Sequence, residues 1–180
     1  MCNENELDKA LYRVAEEVLA SLAFMLPVPP EETSQQGDEQ RSRTWAASVG
    51  FTGDVSGSVV LAAWEEMLPQ LAANMLGLPE GGPEATPDQQ QDALMELANV
   101  ICGNLLTEIW GPEAACTRSP PRLLGQDVPV EGPIDSPPAA TARIELVEGK
   151  AKLSLFVDEE PGTGEVAPAS VNLAGRIGRE

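Results

Sequence analysis

Within DALMELANVICGNLLTEIW, residues 92–110, a carboxylate, a carboxamide and a glycine recur at Glu96, Asn99 and Gly103. In a helix, steps of three and then four residues stack these positions along one line of the surface. Leu94, Leu97, Ala98, Ile101 and Leu105 fall in one narrow stripe on the opposite side, the expected core face. A glycine inside a helix costs about 1 kcal/mol relative to alanine, so some other requirement must offset Gly103. Two accounts are open. In one, Glu96 and Asn99 are ordinary solvated residues and Gly103 makes room for another helix of the same molecule. In the other, Gly103 lets a partner protein approach while Glu96 and Asn99 reach into that partner's active site. Met95, Leu106 and Trp110 lie near the same face, as contact residues on the second account and as packing under a sheet or at a dimer seam on the first.

Composition narrows the chemistry. The 180 residues contain no histidine, so the chain holds no Ser-His-Asp or Cys-His nucleophile pair and no HExxH metal site. Eleven Lys and Arg against 29 Asp and Glu give a net charge of −18, which repels phosphate backbones and anionic lipid headgroups; neither nucleic acid nor a membrane surface is an expected partner. Cys2, Cys102 and Cys116 are odd in number and form no CxxC, which suits reduced thiols in a cytoplasm. The acidic start MCNENELD lacks the basic region of a signal peptide, and Val18 to Leu26 is far too short for a membrane span. A soluble cytoplasmic protein is the expectation.

The elements that must carry the Glu96 line are legible from periodicity. Leu7, Leu11, Val14, Val18, Leu22 and Met25 predict a helix over 5–26, with Asn5 capping and Pro27 stopping it. Residues 27–43 read as a long loop. Trp45 to Phe51 and Val55 to Leu61 alternate about Thr52-Gly53-Asp54 and predict a hairpin. A short helix follows from about Glu65 to Leu76, with Pro69 tolerated near its first turn and Gly77 ending it. Thr86-Pro87-Asp88-Gln89 combines an N-cap, a first-turn proline and a capping box, opening a helix to Trp110. The stretch 111–138 reads as a second long loop with at most one short strand around Leu123, Leu124 and Val128. Ala142 to Leu146 and Leu153 to Val157 form a second hairpin about Glu148-Gly149. The expected fold is α+β, an antiparallel sheet of two hairpins packed with long helices, in one domain over 1–157. Residues 158–180 form an acidic tail without apolar periodicity, expected to be disordered.

Glu96-Leu97-Ala98-Asn99 followed by Gly103-Asn104 resembles the E-x-x-N motif of the CheC/CheX phosphatases of bacterial chemotaxis. The hairpin Gly50-Phe51-Thr52-Gly53 through Gly57-Ser58-Val59-Val60-Leu61, and the helix ending Asn74-Met75-Leu76-Gly77, are similar to that family's strand pair and following helix, so the likeness spans roughly residues 6–157. It implies dephosphorylation of a phospho-aspartyl response regulator of CheY type. Asn99 would position the attacking water and Glu96 would pair with the partner's active-site lysine. The partner would supply both the phosphoryl group and Mg²⁺, with no cofactor held by this chain. CheC proteins carry the motif twice; here Glu17-Val18-Leu19-Ala20 lacks the asparagine and Glu66 meets Pro69 at that spacing. A single motif is closer to the CheX type, which implies a homodimer paired through its sheets. Relatives without the motif act as binding modules, so the alternative is a non-catalytic adaptor that binds a response regulator or a flagellar motor component.

Overall fold

The capping signal at Thr86 is realised in full. In the computed structural model, which describes residues 4–28, 43–127 and 137–158, the Thr86 hydroxyl accepts from the Gln89 backbone N–H at 3.3 Å. The Gln89 side-chain oxygen accepts from the Thr86 N–H at 2.9 Å. The helix so opened, Pro87–Trp110, runs 24 residues to Gly111, whose φ of 86° closes it. With the earlier helices Glu4–Leu22 and Leu68–Leu76 it forms the set α1 (Glu4–Leu22), α2 (Leu68–Leu76) and α3 (Pro87–Trp110). A single turn of tighter helix over Glu65–Met67 leads into α2, with Pro69 in the first turn and Gly77 left-handed at its end.

Helix α1 differs from expectation at both ends. Asn5 lies inside its first turn, and it stops at Leu22, well short of Pro27. Phe24 adopts a positive φ of 53°, and the Met25 N–H turns back to the Leu19 carbonyl at 3.1 Å. The Asn74 side chain of α2 donates to the freed Ala23 carbonyl at 2.6 Å. This turn drops Met25 into the core, where it is fully buried, and lets Pro27 bridge Leu146 in place of continuing the helix.

Six strands build one antiparallel sheet: β1 (Thr44–Gly53), β2 (Gly57–Trp64), β3 (Cys116–Arg118), β4 (Arg122–Gln126), β5 (Ala140–Leu146) and β6 (Gly149–Val157). Their order is β3-β1-β2-β6-β5, with β4 also on β1. The two expected hairpins are β1–β2 and β5–β6, joined through β2 and β6. Ala47, Val49 and Phe51 pair across to Leu61, Val59 and Gly57, and Val59 and Leu61 to Leu155 and Leu153. The apolar alternation of each strand therefore meets the helices on one shared face. Helix α3 lies against β1 and β2 with α1 and α2 beside it.

The stretch 111–138 corrects the long-loop expectation, and the one short strand read around Leu123 and Leu124 is present. It carries β3 and β4, laid end to end along the outer edge of β1. Three and five residues are too few to show a period, and only the exposed edge of a ten-residue β1 makes them strands. Most of 27–43, Val128 to Ser136 and the tail beyond Asp158 lie outside the described residues.

Candidate functional site

Leu94, Leu97, Ala98, Ile101 and Leu105 are all fully buried, as the stripe predicts. Burial of each large side chain is worth about 1.5–3 kcal/mol, which sets the rotation of α3 about its axis. That rotation turns Glu96 outward and leaves Asn99 half-buried at the helix margin. The two side chains meet, the Asn99 Nδ2 donating to Glu96 Oε2 at 3.4 Å.

At Gly103 the neighbour is a side chain of the same molecule, from a strand and not from another helix. A Cβ added there would stand 2.7 Å from the Nη1 of Arg118 and 3.1 Å from its Cζ. The space left by the glycine is filled from within the chain, by the guanidinium of a β3 residue. That same Nη1 donates to the Asn99 backbone oxygen at 2.7 Å and to Asn99 Oδ1 at 3.0 Å. The carboxamide is thus bracketed, its oxygen turned to Arg118 and its nitrogen to Glu96.

Arg118 reaches this position because β3 is held at both ends. Its Cα is paired with Phe51 of β1. Ahead of it, the Ala115 N–H donates to the Asp54 carboxylate at 2.9 Å, and the Asp54 N–H donates to the Ala115 carbonyl at 3.1 Å. After it, the Ser119 N–H bonds the Gly50 carbonyl at 2.8 Å and the Gly50 N–H bonds the Ser119 hydroxyl at 3.0 Å. At Gly53, φ is 144° and a Cβ would lie 1.9 Å from the Ala115 carbonyl oxygen, so the chains approach this closely only over glycine.

The other candidates separate. Met95 is half-buried against the core. Leu106 is a core residue, 8% exposed, and its expected role as a partner contact is corrected: α3 is packed on more than one side, so its seventh residue beyond Asn99 is already inside. Trp110 stacks at a tilt on Phe51, ring centroids 5.8 Å apart. Arg118 escaped sequence reasoning altogether. The only signal was indirect, a costly glycine in α3 with nothing yet to fill the space above it.

The Cys102 thiol near the site is not an activated nucleophile. Burial pushes the Cys102 thiol up to about 11, with Arg118 pulling weakly the other way, so it stays protonated at neutral pH. Among the described residues no group of acids and cysteines is placed to hold a metal ion, and no helix is long and apolar enough to cross a membrane.

A sequence model of the family described as chemotaxis phosphatase CheX matches residues 45–138, a span that includes Glu96, Asn99 and Arg118. Similar folds occur in a chemotaxis protein CheX from Desulfovibrio desulfuricans, at 17% identity and TM-score 0.59 over 85% of this chain and 99% of that one. CheX from Vibrio vulnificus aligns at 16% identity and TM-score 0.61, covering 85% of this chain and 99% of its own. A third is seen in the CheX-CheY-BeF3-Mg²⁺ complex from Borrelia burgdorferi, at 16% identity and TM-score 0.58, covering 88% and 100%. No curated protein sequence matches the chain.

Proposed function

The chain belongs to the CheX family of chemotaxis phosphatases, and from that premise we propose that it hydrolyses the aspartyl phosphate of a CheY-type response regulator. The observation that carries this reading is the pairing of Glu96 with Asn99 on the outward margin of α3. In the hydrolysis a water oxygen bonds phosphorus, the P–O bond to the aspartate breaks, and the aspartate leaves as carboxylate while both water protons end on phosphate. Such a reaction asks for little covalent help, so alignment of the water is the main contribution available. The carboxamide of Asn99 does this without titrating. Its oxygen has two acceptor sites, one taken by Arg118 and one left for a water O–H. Glu96, reaching outward, pairs with the regulator's active-site lysine. Mg²⁺ travels with the regulator and its phosphoryl group, a reading supported by the Borrelia complex, which contains CheX, CheY, BeF3 and Mg²⁺ together. Pairing of two copies through their sheets and a cytoplasmic location belong to the same reading.

The decisive experiment follows phosphate release from a CheY-type regulator phosphorylated with acetyl phosphate. A phosphatase shortens the regulator's phosphorylated lifetime at substoichiometric amounts. An adaptor leaves it unchanged or lengthens it, and either result overturns the proposal.

Glu96→Ala should act on encounter more than on chemistry. An exposed pair reaching across an interface is worth a small factor, so the Michaelis constant should rise by up to about fivefold at low ionic strength. Salt acts in two ways here: it weakens the Glu96–lysine pair, and it screens the field of this chain's −18 charge over the whole encounter. The variant-to-wild-type ratio isolates the first. It should approach one as salt is raised, and a ratio that does not move with salt would take Glu96 out of the contact.

A further inference from the structure

Arg118 stands on a strand, yet its guanidinium is spent on the asparagine of α3. The strand is clamped on both sides of it by Asp54 and Ser119, the side chain crosses the helix where Gly103 leaves room, and one nitrogen bonds both oxygens of Asn99. We propose that Arg118 is the positioning residue that fixes the Asn99 carboxamide, and that Gly103 is a glycine because this guanidinium must lie against it. The inference rests on the role given to Asn99 above.

Chemistry explains why two brackets are needed. Free to rotate about its last bond, a carboxamide presents oxygen and nitrogen to a water with little preference, and only the oxygen can accept a hydrogen bond from the water's O–H. Glu96 and Arg118 together choose the orientation with the oxygen toward β3. When Glu96 turns to the partner's lysine on docking, its bond to Nδ2 is lost and Arg118 alone keeps the amide in that orientation. The arginine bond is charge-assisted and ends on a backbone oxygen as well, so the guanidinium itself cannot swing with the side chain it holds.

Three variants test this. Arg118→Ala should lower kcat about tenfold or more with the Michaelis constant within about twofold, because orientation of the water and not encounter is lost. Arg118→Lys, which keeps a charged donor on a shorter arm, should recover part of the loss. Gly103→Ala should reproduce the Arg118→Ala defect through the displaced guanidinium while the melting temperature holds or rises, and adding it to Arg118→Ala should cost nothing more. A second readout is independent of turnover: the ¹⁵N order parameter of the Asn99 side-chain amide should fall in Arg118→Ala and in Gly103→Ala. If the wild-type chain turns over no phosphorylated regulator, the phosphatase reading falls, and the order parameter still decides whether Arg118 holds the amide. An unchanged order parameter in Arg118→Ala overturns the positioning role, and so does an unchanged kcat in an active enzyme.

Discussion

Asn99→Ala should reduce hydrolysis of the phosphorylated regulator by about 10²–10³-fold, the scale of losing one group that aligns or stabilises the reacting atoms. The fold should not suffer. Alanine is the better helix former by up to about 0.7 kcal/mol, and Arg118 keeps one acceptor, the backbone oxygen of residue 99. Stability should therefore stay within about 1 kcal/mol of wild type. Asn99→Asp separates shape from charge: it offers Arg118 an ion pair and should fold at least as well, yet it sets a carboxylate against the phosphoryl group and should be as inactive as alanine. Near wild-type turnover in either variant, measured beside an unchanged melting temperature, would end the water-positioning role.

Gly53→Ala should be the most damaging single methyl group near the site. The backbone there sits at φ 144°, and the added carbon would meet a main-chain oxygen, Ala115 O, at 1.9 Å. No rotamer relieves a clash with backbone, so the turn or β3 must move. Strain of about 1–3 kcal/mol at such a dihedral, with the exchange of bonds between Asp54 and Ala115 at about 0.5–1.5 kcal/mol each, gives a loss of roughly 3 kcal/mol. For a chain of this size that is a fall of about 6–12 °C in melting temperature. Because β3 carries Arg118, activity measured well below the melting temperature should fall too. A variant that melts within a degree of wild type and keeps its kcat would show that β3 tolerates displacement and that its clamps do not set the site.

What was legible in the sequence was what each segment decides for itself. Thr86, Pro87 and Gln89 lie within four residues of one another, and the cap they encode is present atom for atom. The strands of both hairpins run seven residues or more and alternate over part of that length, and their pairing follows. Glu96 and Asn99 are three residues apart on one helix, so their meeting was readable as well. Illegible were the features that one element lends another. Phe24 turns left-handed, and the Ala23 carbonyl beside that turn is met by Asn74, 51 residues away. Leu106 falls on the Asn99 line of an isolated helix, but α3 packs against two helices as well as the sheet, and that wider contact buries Leu106 too. Arg118 and Asn99 are 19 residues apart across a Pro- and Gly-rich segment whose strands exist only on the edge of β1.

The three residues of β3 have a consequence for how the protein fails on heating. A strand this short, on the rim of the sheet and held by a handful of backbone bonds, opens at a free energy far below that of unfolding the helix-covered interior. Every such opening carries Arg118 away from α3 while Leu97, Ile101 and the rest of the interior stay packed. Turnover should therefore decline reversibly at temperatures where far-ultraviolet circular dichroism still reports an intact fold. Amide protons of residues 116–119 should exchange with solvent well before those of 97–105, and the onset of inactivation should track the first group.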